Sequence, residues 1–336
     1  MKIIIAGPLP EKNSNGGVAV FNKNIAKEIS KSHDVLLASK KNYRFSKKTD
    51  IKYASIFDIR KLRAYNADII ISSLWYSLFF IFGFKKAIKI HILHGFTNFL
   101  SYSSFKFYVM HIIDNILRQK YDLFLANSAF TKFINEQIFN LKVDGVFNIG
   151  LDPNLIESLR QPEKTIKRQN NIIFVGRIVK AKNLGRALEA ISKLDKNLYN
   201  EFKIYGYGNE EKFLKEKYSG NKKICFKGPI IHKNIKMAYE NSKVFISLNP
   251  SEPFGITYEE AIANGLFVVA PNTGGQVEFL KNFPHRVALV DVNDIESICS
   301  ALKRGLTTKL APLTDDELEN MSYKRTVKEI FAVINK

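Results

Sequence analysis

The sequence predicts two successive doubly wound α/β domains, and three observations carry the prediction. Short runs rich in Ile, Val, Leu and Phe alternate with helix-length segments, six runs in each half of the chain. Several runs are continuously apolar rather than alternating, as expected of strands buried on both faces of a parallel sheet. A polar stretch at 152–170, carrying Asp152-Pro153 and Gln161-Pro162, separates the two sets. A chain of 336 residues is also too long for one ordinary core and suits two of about 150 residues. Two sets of strand–helix alternation mean two parallel sheets, each with helices on both faces.

In chain order, the first set of strands is 2–6 (KIIIA), 34–38 (DVLLA), 68–72 (DIIIS), 89–93 (KIHIL), 123–126 (LFLA) and 145–149 (GVFNI). The longest apolar run, 69–84 (IIISSLWYSLFFIFGF), is too short for a membrane span and is interrupted by serines. It reads as a strand over 69–73 that passes into an apolar helix. The second set is 171–175 (NIIFV), 202–205 (FKIY), 223–226 (KICF), 243–248 (KVFISL), 266–270 (LFVVA) and 286–290 (RVALV), with a helical pattern at 183–194. After a break at 310–314 (LAPLT), one amphipathic helix is expected over 315–335. The domains are therefore 1–160 and 161–314, followed by a final helical segment, 315–336.

Composition narrows the function classes. Hydrophobic residues make up 46 % and charged residues 25 %, which is a globular rather than a disordered balance. The net charge of +19 favours an anionic partner: nucleic acid, an anionic membrane surface or a phosphorylated substrate. Two cysteines, Cys225 and Cys299, sit in no paired motif, so neither a disulfide framework nor a zinc site is implied. The opening MKIIIAGPLP lacks the apolar stretch of a signal peptide, and a cytoplasmic location is expected.

Four motifs follow strands and so fall at the carboxyl edge of a parallel sheet, where ligands bind. In 251–265 (SEPFGITYEEAIANG), a loop with Pro250 and Pro253 leads through Gly255 into a helix. That arrangement offers free backbone amides and a positive helix end to an anion. Glu252 in its loop and Glu260 in its helix are eight positions apart; a carboxylate beside a phosphate site suits a sugar's two hydroxyls. The competing reading is an ordinary strand–loop–helix with two solvated glutamates. In 174–183 (FVGRIVKAKN), Arg177 and Lys182 follow a strand and a glycine turn. Two cations there can grip a diphosphate and stabilise charge on a departing phosphate; the alternative is a basic loop in a basic protein. The loop 7–17 (GPLPEKNSNGG), ending at Gly16 and Gly17, and the turn 272–278 (NTGGQVE) are weaker glycine signals. His94 in HILHG also follows a strand, and its neighbour His91 reads as structural.

In this order along the chain, these residues resemble the retaining glycosyltransferases of the GT-B fold, family four, or glycosyl transferases group 1. The resemblance runs from Gly16-Gly17 through His94, Asn127-Ser128, Gly176-Arg177, Lys182, Gly206, Gly208 and the Glu252-to-Glu260 element to Gly274-Gly275 and Glu278. It implies two Rossmann-like domains facing each other across a cleft, with the last helix returning to the first domain. It also implies roles. Arg177 and Lys182 match the pair on the donor diphosphate, Glu260 the carboxylate on the ribose, and Glu252 the one near the donor sugar. Phe254, Gly255, Ile256 and Thr257 match the amides on sugar and phosphate. Gly16 and Gly17 match the first-domain phosphate loop, and His94 a histidine near the reaction centre. Pro253 departs from the family's frequent glycine, which removes an amide donor; Asn183 replaces the glycine that often follows the lysine.

The expected activity is therefore transfer of a hexose from a nucleoside diphosphate sugar, with UDP as nucleotide, to an acceptor hydroxyl. No obvious metal-binding carboxylate pair occurs, and no metal or other cofactor is expected. The expected acceptor is a saccharide or lipid-linked saccharide of surface-polysaccharide synthesis. Aromatics in 96–120 interleaved with Lys106, Arg118 and Lys120, near Lys85, Lys86 and Lys89, suit an anionic bilayer on the inner face of the cell membrane. Two alternatives stay open: another sugar-nucleotide enzyme of the same architecture, or a nucleic-acid binder. The second rests on the charge and on 40–48 (KKNYRFSKK), without a recognition motif.

Overall fold

A computed structural model of the chain describes residues 1–10, 16–40, 51–96, 104–160, 168–230 and 232–335. Four sequence features fall partly outside them: 11–15 of the first glycine loop, 41–48 of the basic run, 97–103 ahead of the aromatic helix with the Lys106 side chain, and 161–167 of the connection between domains. The chain divides into two compact units. Unit 1 comprises residues 1–152 and 322–336, and unit 2 comprises 153–321. The sequence breaks lie instead at 160/161 and 314/315.

Unit 1 contains β1 (Lys2–Ala6), α1 (Gly17–Ile29), β2 (Asp34–Ser39), β3 (Lys52–Ser55), α2 (Ile59–Ala64), β4 (Ile69–Ser73), β5 (Ile88–Leu93), α3 (Ser104–Lys120), β6 (Leu123–Ala126), α4 (Ala129–Phe139) and β7 (Gly145–Val146). Its seven strands run in the order β3-β2-β1-β4-β5-β6-β7, and each pairing is parallel. Alternate strand residues face opposite layers. Ile4, Leu36, Ile70 and Phe124 pack with Leu62, Phe80 and Leu117 on one side. Ile3, Val35, Ile69 and Leu125 pack with Phe21 and Ile25 on the other.

Unit 2 contains α5 (Pro153–Arg160), β8 (Ile172–Val175), α6 (Leu184–Lys193), β9 (Phe202–Tyr205), α7 (Glu211–Lys217), β10 (Ile224–Gly228), α8 (His232–Glu240), β11 (Val244–Ile246), α9 (Ile256–Ala263), β12 (Phe267–Pro271), α10 (Gln276–Leu280), β13 (Val287–Val290), α11 (Ile295–Thr307) and α12 (Asp315–Glu319). Its strands form a second parallel sheet, β10-β9-β8-β11-β12-β13. The last helix, α13 (Tyr323–Ile334), belongs to unit 1, where Tyr323 and Ile330 join the layer of Phe21.

The structure corrects four local expectations. The closing helix is two helices, not one. Thr314 and Glu317 form a capping box that starts α12, and Ser322 in extended geometry accepts from the Arg325 amide and starts α13. Leu151 bridges Ser322 between them. The apolar segment after β4 is a 3-10 helix, Leu74–Phe80, rather than an α-helix; Leu74 at its head has φ of 57°, in the left-handed region. The strand expected over 145–149 pairs only at Gly145–Val146. The edge strand β3 has no expected counterpart, because KYAS is short and mostly unburied.

His91 illustrates what burial does in unit 1. Its Nδ1 lies 2.6 Å from Ser77 Oγ, and Ser77 Oγ is 2.9 Å from Ser72 Oγ. Its ring packs on Phe124 at 4.7 Å. Burial, helped by neighbouring His94, pushes its pKa down to about 3. The folded state thus keeps His91 neutral where the unfolded chain takes up a proton, below about pH 6.5. Its stabilisation is complete above that pH and declines as pH falls toward about 3. Urea unfolding at neutral pH and near about pH 4.5 should show the parent losing roughly 2–3 kcal/mol through this group, with a shallower loss in His91→Gln. An unchanged acid slope in the variant would mean that His91 protonates in the folded protein.

Candidate functional site

The carboxyl ends of β8, β9, β11 and β12 lie along one edge of unit 2's sheet, because every pairing there is parallel. Close approach starts the site. A Cβ on Gly206, whose φ is 148°, would overlap the Gly176 carbonyl, and one on Gly208 would overlap that of Ile178. The absent side chains let Gly176 N donate to Tyr205 O at 3.0 Å and Ile178 N to Tyr207 O at 2.9 Å. Arg177, held between those two bonds, is exposed. A short 3-10 turn, Lys180–Lys182, follows and ends at Asn183 in the left-handed region, φ 49°. Asn183 thus keeps the backbone geometry that glycine would supply, and its Nδ2 donates to Leu248 O at 3.1 Å, tying the β8 loop to the β11 loop.

Both glutamates have partners in the fold, Glu252 partly buried and Glu260 buried. Glu252 Oε2 receives Lys182 Nζ and also Asn249 Nδ2, the latter at 2.8 Å. Its backbone carbonyl accepts from Gly275 N at 2.7 Å, and Thr273 Oγ1 donates to Pro250 O at 3.1 Å. Three loops therefore meet at Glu252. Gly255, with φ of 89°, turns the chain into α9, and a Cβ there would press on Tyr258 and Gln276. Phe254 is buried against Phe279 at 5.5 Å. The first intrahelical bond joins Tyr258 N to Gly255 O, so the Ile256 and Thr257 amides open the helix without intrahelical partners. Glu260, one turn on, is only 5 % exposed and accepts from Tyr239 OH at 3.1 Å.

Sequence reasoning missed the supports of this arrangement. Tyr239 is fully buried on α8, and burial, then the Glu260 charge, holds its hydroxyl well above the usual phenol range. Arg168 donates to Tyr239 O at 3.2 Å, to Ser242 O at 3.1 Å and to Asn264 O, so it clasps the carbonyl ends of α8 and α9. Asn249 Oδ1 accepts from Ser251 N at 3.1 Å, an Asx turn for which Asn249-Pro250 was the available sequence sign. Nothing local marks Tyr239 or Arg168.

In unit 1, Gly16 and Gly17 are exposed where α1 begins, after β1. His94 follows β5 on the same sheet edge, with its ring 4.8 Å from Phe21 of α1. Asn127 Nδ2 holds the His94 carbonyl at 3.1 Å, and Asn135 Nδ2 holds that of Gly95 at 3.2 Å. His94 Nε2 is buried and makes no hydrogen bond among the described residues. Burial lowers its pKa to about 3, so its imidazole is neutral at physiological pH. Lys182 with Glu252, and the 254–257 loop with Glu260, are thus gathered in unit 2, while His94 and Gly17 share an edge of unit 1.

Comparison with known proteins gives the family and the fold. The family model described as glycosyl transferases group 1 matches residues 156–325, just over half of the chain. The GtfA subunit of the UDP-N-acetylglucosamine–peptide N-acetylglucosaminyltransferase of Streptococcus agalactiae is 27 % identical over 129 residues, 38 % of this chain and 26 % of that protein. The chain therefore matches only about a quarter of that relative's length. Among solved structures, sucrose-phosphate synthase from Thermosynechococcus elongatus superposes with a TM-score of 0.73 at 13 % identity, covering 99 % of this chain and 98 % of that one. Anabaena HepE, in complex with UDP and glucose, gives 0.70 at 15 % identity over 100 % of both chains. Both likenesses are of fold, the GT-B fold of glycosyltransferases.

The glycine contact can be tested on stability alone. Gly206→Ala should cost about 3 kcal/mol or more in urea unfolding, since it combines a forbidden φ with backbone overlap. Gly220→Ala, which meets open space, should stay within about 0.5 kcal/mol of the parent. Equal stability of the two variants would refute the close approach.

Proposed function

The chain belongs to the family of glycosyl transferases group 1, and on that premise we propose that it transfers a hexose from a UDP-sugar to an acceptor hydroxyl, with retention of configuration. The observation that carries the reading is the meeting of Lys182, Glu252 and the opening amides of α9 at one sheet edge, with Glu260 one turn further along. The complex of Anabaena HepE with UDP and glucose supports the choice of nucleotide. Unit 2 is the donor side and unit 1 the acceptor side. The acceptor is a lipid-linked saccharide at an anionic membrane surface, in keeping with the positive charge of the chain.

Each side chain then has a physical task. The Ile256 and Thr257 amides and the helix end receive phosphate oxygens. Lys182 has three N–H donors and gives one to Glu252, which leaves two for the diphosphate and fixes where they point. Arg177 adds a planar fork of donors. Together they stabilise the charge that grows on the leaving diphosphate as the glycosidic bond breaks, a task that needs no metal. Glu252 faces the sugar, and Glu260 accepts from the ribose hydroxyls. His94, neutral at working pH, offers unit 1 a hydrogen-bonding group rather than a charge.

Two measurements test this. Glu260→Gln should weaken UDP binding in calorimetry by about 1.5–3 kcal/mol, because an amide accepts two hydroxyls less well than a carboxylate; unchanged affinity would remove Glu260 from the site. Arg177→Ala and Lys182→Ala should each lower turnover at saturating donor by roughly 10²–10³-fold, while an ordinary surface cation would cost a few tenths of a kcal/mol. The pair of substitutions should cost less than the sum of the singles, since both act on one diphosphate. A single variant that keeps more than about a third of the parent turnover does not hold the assigned role. Duplex DNA should give no thermal stabilisation where UDP does.

A further inference from the structure

Apolar side chains exposed to solvent are not shared evenly between the units. Among the described residues, fourteen of the eighteen exposed large hydrophobics lie in unit 1 and four in unit 2. Within unit 1 they are also one-sided. The parallel connections that move outward from β4 through β5 and β6 to β7, and the return from β3 to β4, place α2, the 3-10 segment, α3 and α4 on one face of the sheet. The cores agree: Leu62, Phe80 and Leu117 pack on that face, while α1 and α13 cover the other. Neither α1 nor α13 exposes a large hydrophobic residue.

On α3 the exposed positions Phe105, Tyr108, Val109, Ile112 and Ile116 are spaced three and four apart. They form one apolar stripe on a different side of the helix from the buried Leu117. Phe105 is 76 % exposed and Phe82, just after the 3-10 segment, 73 %. Trp75 and Leu78 of that segment and Phe133 and Ile138 of α4 extend the same layer. Cations accompany them: Arg60, Lys61 and Arg63 on α2, Lys85 and Lys86 after the 3-10 segment, and Lys120 at the end of α3 are all exposed. The acids Asp58 and Asp122 are held by backbone amides, of Lys61 at 3.0 Å and of Lys89 at 2.7 Å.

We propose that this layer of unit 1 is a docking face for an anionic lipid bilayer, with the α3 stripe entering the interface and the surrounding lysines and arginines meeting the headgroups. The inference deepens the acceptor reading above by naming the surface that brings the chain to its lipid. A monomer in water seldom leaves so many large apolar groups on one side without a partner. Apolar side chains within a rim of cations match an interfacial helix on anionic lipid. A second copy is a poor occupant, because it would bring another +19 charge against the same cationic rim. No helix of the described residues is long and apolar enough to cross a membrane.

Vesicle sedimentation of the full chain tests the assignment, with phosphatidylcholine vesicles that contain or lack phosphatidylglycerol. The parent should sediment with the phosphatidylglycerol vesicles at low salt and be released by high salt. Two double variants, Ile112→Ser with Ile116→Ser and Lys85→Glu with Lys86→Glu, should each bind at least about tenfold more weakly. All four positions are exposed, so the fold should survive, and UDP calorimetry on both variants should match the parent. Absence of parent binding to the anionic vesicles overturns the proposal, as does equal binding by the serine pair. A dimer in sedimentation equilibrium that the serine pair abolishes, without vesicle binding, would give the face to a second copy instead. Failure of the parent to bind UDP would count against the donor reading alone.

Discussion

Unit 2 depends on the junction at Glu252. The β11 loop supplies the carboxylate and Asn249, the β8 loop supplies Lys182, and the β12 turn supplies the Gly275 amide to the backbone carbonyl. A half-buried ion pair gains little by itself, since the cost of removing both charges from water offsets the attraction. Here the pair has a further hydrogen bond, and the backbone around it is fixed from a third loop. The junction therefore sets geometry more than stability. It fixes the Lys182 ammonium at the loop that leads into the first turn of α9.

That geometry requires the close approach beneath it. Gly206 and Gly208 bring the β9 loop against the β8 loop until backbone amides and carbonyls bond directly. Asn183 and Gly255 occupy the left-handed region at the two helix entries. Arg168 and Tyr239 then hold α8 and α9 from behind, so Glu260 sits buried with a donor on one oxygen. A site made of loops becomes rigid when each loop is tied to another before any ligand arrives, and preorganisation of that kind is what electrostatic catalysis needs.

Unit 1 answers a different physical problem. Its sheet is buried on both faces, but its two helical layers have different outer surfaces. The layer of α1 and α13 is polar outside, while the layer of α2, α3 and α4 is apolar and basic. The strand residues could not reveal this, because an inward stripe and an outward stripe on one helix both read as hydrophobic in the sequence. In α3 the two stripes together make an almost continuous apolar run, and only burial separates Leu117 from Ile116.

The sequence by itself determined the fold class, twelve strand positions and the candidate residues, because continuous β-branched runs and glycine or proline punctuation are local signals. Lys2–Ala6 and Phe202–Tyr205 were legible to the residue. The spacing of Glu252 and Glu260 was legible too, but not that Glu260 is buried and Glu252 paired. Tertiary structure alone decided the partners: Lys182 for Glu252 across 70 positions, Tyr239 for Glu260, and Arg168 for two helix ends. It also decided that the closing segment breaks at Ser322 and divides between the units. Pairings of this kind depend on which strand ends lie side by side, and strand order in a parallel sheet is fixed by crossovers that leave no mark at the residues they bring together.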